Sequence, residues 1–201
     1  MNKRIQELAD QIKRLEAELA QEIQCIRIRT YEIRDRTGLF QEEIKRLHRT
    51  QVEPLLVYLR HAKLKHVLTA PVILCCLVPA ALMDLVVTLY QLICFPVYGI
   101  PKVRRGDHVL IDRHHLAYMN IIEKLNCLYC SYFNGVMSYV REIAGRTEQY
   151  WCPIKHAAQL NRPHSRYERF VEYGDSDSYR EKVNELRKDF SDLAEERKRA
   201  E

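Results

Sequence analysis

Glycine and proline are scarce in this chain, at 6 and 7 of 201 residues. Few chain-reversing or helix-breaking residues imply a mostly helical protein. The common catalytic signatures are missing as well. There is no Gly-x-Ser-x-Gly elbow, Walker A loop, Gly-x-Gly-x-x-Gly turn or His-Glu-x-x-His pair, which argues against the usual hydrolase, nucleotide-binding and metalloprotease classes. Glu123, Glu142 and Glu148 have no Glu-x-x-His unit beside them, so a bundle diiron site is not indicated. A large excess of one charge sign is also lacking. The net charge is +5 and dispersed, too weak for nucleic-acid binding and suited to a modest attraction for anionic headgroups. The opening MNKRIQELADQ is charged, with no signal-peptide apolar stretch. The seven cysteines do not form the spacing of a secreted disulfide framework, and reduced thiols in a cytosolic compartment fit better.

The dominant positive feature is an apolar run from Leu68 to Ile100 with a single formal charge, Asp84. A lipid bilayer selects runs of this length and composition. Its 33 residues would extend about 50 Å as one helix, against a hydrocarbon core of about 30 Å. Two arrangements follow. One is a single span near 72–95 with its ends in the interface. The other is a re-entrant hairpin bending near Pro79 or Asp84. Arg60, Lys63 and Lys65 precede the run, and Lys102, Arg104 and Arg105 follow it. Such balanced flanks favour the hairpin, with both ends in the cytoplasm. A buried hairpin in a soluble bundle is the third alternative. Asp84 reads as a carboxyl at a bend, near water or a tyrosine hydroxyl, because no second acid accompanies it.

Residues 1–65 read as one long amphipathic helix. Ile5, Leu8, Ile12, Leu15 and Leu19 step by three and four, and Ile23 and Ile26 continue the stripe, an a/d seam typical of coiled coils. Gly38 and Pro54 are its weak points. At the other end, Ser178 and Glu181 have capping-box spacing. Tyr179, Val183, Leu186, Phe190 and Leu193 form a second seam. The two seams can pair with each other, or each with another copy or a partner protein. Between them, 101–110 is a polar linker. Ile111 to Tyr150 keeps one helical phase straight through Asn134-Gly135, which predicts one long helix with its weak point at Gly135. Residues 151–174 are irregular.

Cys127-x2-Cys130 followed by Cys152-x3-His156 has the composition of a three-Cys, one-His site for zinc or iron. Cys152 lies 22 positions beyond Cys130, about 33 Å along an unbroken helix. The set therefore closes only if the helix breaks. A break at Gly135 would instead bring Cys152 and His156 toward Asp112, His114 and His115, a mixed ligand set also suited to zinc or iron. The bland alternative is that Cys127 and Cys130 are small apolar residues on a packed helix face.

The expected architecture is all-α. Long amphipathic or coiled-coil helices at 1–65 and 175–201 flank a membrane-embedded segment at 66–100 and a helical Cys/His module at 101–174. The expected function is a membrane-anchored interaction or scaffold protein with a structural metal site. Its partners are the lipid bilayer and a protein, or a second copy, bound through the terminal helices. The Cys/His module faces the cytoplasm. The competing class is a membrane-bound metalloenzyme or redox protein with an open Cys/His site.

Overall fold

The computed structural model describes residues 4, 11, 14–15, 17–19, 21–23, 31–34, 37–40, 42–61 and 63–193. They fall into two units, 1–62 with 112–128, and 63–111 with 129–201. Among the described residues the regular elements are helices apart from one short hairpin and one isolated bridge.

In the first unit the described positions up to Ile23 are helical. Leu15, Leu19 and Ile23 are exposed there, while Ile5, Leu8, Ile12 and Ile26 lie outside the described residues. The expected single helix over 1–65 is not continuous. Strands β1 (Tyr31–Arg34) and β2 (Thr37–Phe40) pair antiparallel with Tyr31 opposite Phe40. Helix α1 (Glu42–Thr50) follows, and then α2 (Leu55–His61). The sequence between α1 and α2 ends in Pro54, whose carbonyl accepts the first α2 bond from the Tyr58 amide at 3.0 Å. Proline has no N–H to continue a preceding helix, but it is tolerated where one begins.

Helix α3 (Leu64–Cys75) and helix α4 (Leu77–Tyr98) open the second unit. Cys76 between them keeps right-handed helical angles, φ −65° and ψ −15°. Pro79 sits in the first turn of α4, where its missing N–H is harmless, and Asp84 lies inside α4. The pair therefore forms one helix from Leu64 to Tyr98, and the expected reversal at Pro79 or Asp84 does not occur. A reversal needs residues that leave the helical region, and none is present here. Gly99, at φ 69°, ends α4. The Ile100 amide reaches back to the Phe95 carbonyl at 2.9 Å, which is a Schellman closure.

Helix α5 (Ile121–Trp151) passes from the first unit into the second. It starts ten residues later than the periodicity implied, because Asn120 caps it. Asn120 Oδ1 accepts from the Ile122 and Glu123 amides, both at 3.0 Å, and Glu123 Oε2 accepts from the Asn120 amide at 2.8 Å. This reciprocal box sets the true start, and His114 and His115 lie before it in a 3₁₀ turn. Helix α6 (Ser176–Leu186) is capped by Asp175, whose carboxylate accepts from the Ser178 amide at 3.0 Å. The cap is thus Asp175 and not Ser178. The core of this unit joins Phe95, Ile100, Val103, Tyr139, Ile143 and Phe190. Of the C-terminal seam, Val183 and Phe190 are buried, and Tyr179, Leu186 and Leu193 are half-buried.

Gly135 is not a weak point. A Cβ there would stand 2.8 Å from Val109 Cα and 3.0 Å from the His108 carbonyl oxygen. The linker crosses α5 at this spot, and both opposing atoms are backbone. Gly135→Ala is expected to destabilise the protein by about 1–3 kcal/mol through overpacking, against the ~1 kcal/mol gain alanine brings to an open helix. A rise in the thermal midpoint of this variant would contradict the close contact.

Candidate functional site: an exposed apolar helix

The helix from Leu64 to Tyr98 is long and apolar enough to cross a membrane, yet only 11 % of its most apolar stretch is buried. Its two halves differ. No residue of α3 is buried, and Leu64, Leu68, Val72 and Leu74 stand open on several sides. In α4 one stripe is packed, with Ala80, Asp84, Gln91 and Phe95 buried at four-, seven- and four-residue intervals. The opposite face of α4, including Leu82, Leu85, Leu89, Ile93 and Val97, is exposed. The packed face mixes polar Asp84 and Gln91 with apolar Ala80 and Phe95, while the exposed face is apolar, unlike the polar outer face of a helix on a water-soluble domain.

The packed stripe has a specific polar lining. Asp84 accepts from Arg105 Nε at 3.0 Å and Nη2 at 2.7 Å, a bidentate fork. Tyr132 Oη donates to Asp84 Oδ2 at 3.1 Å. Burial, reinforced by the Asp84 carboxylate, raises the Tyr132 phenol above its ordinary value, so it stays a donor. Gln91 accepts from the Val103 amide at 2.9 Å and donates to the Val103 carbonyl at 3.3 Å and to Tyr139 Oη. Tyr90 pairs with Thr147 at 3.2 Å. These partners advance together along both chains, so α4 and α5 run parallel. The return segment 101–109 lies along them, with Arg146 donating to the Pro101 carbonyl at 2.8 Å. The tyrosine hydroxyl expected near Asp84 is Tyr132, but Asp84 lies within a helix and not at a bend, and it is paired with Arg105. Only the fold brings Arg105 to it.

Tyr129 donates to the Ile73 carbonyl at 2.9 Å and stacks on Phe133 with centroids 5.9 Å apart. With Tyr132 these rings form an aromatic collar beside the joint of α3 and α4. At the other end of α4, Tyr98 meets Tyr150 and Trp151 with centroids 5.2 Å and 5.3 Å apart.

A second polar cluster pins the irregular segment after α5. Burial alone would raise the Glu142 carboxyl, but the Ser165 hydroxyl and Arg146 hold it below its ordinary value. His164 Nε2 lies 2.9 Å from Glu148. Arg166 is buried against Gln149, Asp192 and the ring of Phe190. Apart from the i,i+4 pair Glu142–Arg146, these contacts were not legible from local spacing, because the partners are 16 to 26 positions apart.

The candidate metal ligands are placed as follows. Cys127 and Cys130 lie on α5, three positions apart, and Cys152 follows its last residue. Helix α5 is unbroken through Gly135, so Cys130 and Cys152 stay about 33 Å apart along its axis. His156 is exposed beside an open cavity of about 450 Å³, its ring 6.2 Å from that of Tyr167. His114 and His115 are exposed neighbours with centroids 3.8 Å apart. Among the described residues no three His, Cys, Asp or Glu side chains converge as metal ligands would. Cys130 and Cys152 of the first expected set are held apart by the unbroken helix. Comparison with protein-family models, with curated proteins and with solved structures finds no match for this chain.

Proposed function

We propose that this protein is a membrane-anchored helical interaction protein. The observation that carries the reading is the helix of α3 and α4, whose most apolar stretch is only 11 % buried. A core helix of a soluble protein of this composition would be mostly covered. Leaving Leu68, Val72, Val78 and Leu82 between 61 % and 72 % exposed to water costs about 25 cal/mol per Å² of apolar surface. Hydrocarbon removes that cost on every side of the helix at once.

The partner-binding part falls to the N-terminal helix. Phe190 and Leu193 of the C-terminal seam pack at the core, whereas Leu15, Leu19 and Ile23 are open and step by four along one helix face, available to a protein partner or a second copy. A cytoplasmic placement of the region around Cys127, Cys130 and Cys152 rests on the cysteine spacing, which is not that of a secreted disulfide framework.

The test is reconstitution of the purified full-length chain into phosphatidylcholine vesicles, followed by alkaline carbonate washing and flotation. Retention with the vesicles is expected. Complete release into the wash as a soluble, folded protein would overturn the reading.

A further inference from the structure

Resting on the membrane reading, we infer that α4 and α5 enter the bilayer together, lying flat and side by side in its surface with one shared apolar face in the lipid. Length and composition alone suggest a crossing helix or a re-entrant hairpin instead.

Helix α5 accompanies the long helix too closely for a crossing. Its Tyr129 bonds at Ile73, Tyr132 at Asp84 and Tyr139 at Gln91, and Tyr150 packs on Tyr98. From Ile73 to Tyr98 is 25 positions, about 38 Å of helix against a hydrocarbon core of about 30 Å. Over that length α5 carries Arg141, Glu142, Arg146 and Glu148, and the return segment carries Lys102, Arg104 and Arg105. A crossing would take this whole set into lipid, where each charge is expensive.

A flat placement takes in none of them, because the charges of α5 face away from one clean stripe. Arg141 donates to the Arg162 carbonyl at 2.6 Å, Glu142 accepts from the Ser165 hydroxyl at 2.7 Å, and Glu148 meets His164 at 2.9 Å. Segment 162–165 therefore covers that side, and Arg146 turns to the Pro101 carbonyl. Phe133, Met137, Val140, Ala144 and Trp151 step by four, three, four and seven, one helix face without a charge. Met137, Ala144 and Trp151 are exposed there, and the other two are half-buried.

This stripe continues the open face of α4. Tyr90 pairs with Thr147 at 3.2 Å. Tyr90 shares its side of α4 with exposed Val86, Ile93 and Val97, which lie four before it and three and seven after it. Thr147 stands among Val140, Ala144 and Trp151 at seven, three and four positions. The bond thus joins two apolar stripes edge to edge. Tyr98, Tyr150 and Trp151 close the face at one end, and such rings favour the headgroup level. A one-sided apolar face of this kind sinks about 5–10 Å into the bilayer surface.

Trp151, the only tryptophan, is the depth probe. Wild type, Trp151→Phe/Ala144→Trp and Trp151→Phe/Met137→Trp are reconstituted as full-length chains into phosphatidylcholine vesicles whose acyl chains carry bromine at shallow or deep positions. The outer two probes are 14 positions apart, about 21 Å along α5. All three are expected to be quenched, and to report the same shallow depth within about 5 Å. Depths that change by about 10 Å from one probe to the next would overturn the inference in favour of a crossing helix. An absence of quenching in vesicle-bound protein would overturn it as well. A second measurement uses Met137→Lys/Ala144→Lys, expected to lower vesicle retention about tenfold or more with the thermal midpoint kept. Gln159→Lys, on the irregular segment, is expected to leave retention unchanged. Equal retention of the double variant and wild type would also overturn the inference. If wild type itself fails to remain with the vesicles, the membrane reading fails and the inference with it, a result distinct from bound protein whose α5 is unquenched.

Discussion

Replacing Leu74 and Val78 together by lysine is expected to abolish vesicle association while leaving the protein folded. The two side chains are 50 % and 72 % exposed, and neither belongs to the core around Phe95 and Tyr139. Lysine near the middle of a membrane helix costs about 2.5–3.5 kcal/mol. Two such changes amount to about 5–7 kcal/mol, a loss on the order of 10⁴-fold in partitioning. Flotation with the double variant beside wild type reads the loss, and circular dichroism with thermal melting reads the fold. Phe95→Ala supplies the opposite signature. That ring is fully buried, so its removal is expected to lower stability by about 3–5 kcal/mol with flotation retained. If the lysine pair unfolds the chain instead, the exposed helix is a packed element, and the membrane reading loses its basis.

Arg166→Ala is expected to be the most damaging single change to the folded second unit. Its guanidinium donates to Gln149 Oε1 at 2.6 Å, to the Asp189 carbonyl at 3.2 Å and to both carboxylate oxygens of Asp192. Gln149 in turn donates to the Leu186 and Asp189 carbonyls at 2.8 Å and 2.7 Å. One buried cation thus ties the segment after α5 and the turn after α6 to α5 itself. Removing one partner of a buried pair costs about 3–5 kcal/mol. For a chain of this size that corresponds to a fall of roughly 6–20 °C in the thermal midpoint. Arg166→Lys keeps the charge but loses the fork, and it is expected to recover only part of the loss.

The same cluster carries a pH signature. Burial alone would raise the Asp192 carboxyl, but Arg166 and Arg169 outweigh it and hold the group below its ordinary value. A carboxyl lowered in the folded state contributes stability above its unfolded pKa of about 4, and that contribution is lost as pH falls through the folded value. Wild type should therefore lose stability below about pH 4. In Arg166→Ala this acid-dependent loss should shrink, because the cation that lowers Asp192 is gone. Urea unfolding between neutral and acid pH measures both. An unchanged acid limb in the variant would show that Asp192 is not held by Arg166.

The patterns that were legible were those carried by neighbours in sequence. The helical character and the apolar run follow from periodicity or composition, and the structure contains them; the expected C-terminal helix over 175–201 ends at Leu186, and Phe190 and Leu193 reach the core from beyond that end. Local signals misled where a residue has two uses. Gly135 was read as a helix weakness, but it is the point where the backbone at Val109 approaches α5. Periodicity from Ile111 overran the Asn120–Glu123 box, because a turn can keep helical phase for a few residues. Gly38 and the aromatic and β-branched residues around it belong to a hairpin, inside what the a/d seam suggested was one helix.

The sequence by itself determined that the chain is helical and that one stretch near its middle seeks an apolar environment, because both properties sum over consecutive residues. Tertiary structure alone decided how that stretch is used. Whether Asp84 is a lone charge depends on Arg105, 21 positions away and folded back beside it. Whether Cys130 and Cys152 can meet depends on α5 remaining straight through a glycine that packing requires. The division of the long helix into an open half and a one-sided half depends on which neighbours reach it. Composition is nearly uniform across that division, so nothing in the local pattern marks it. What the fold adds is a hydrogen-bonded face on α4, because Val103 and Arg105 on the return segment and Tyr139 on α5 reach it from distant positions.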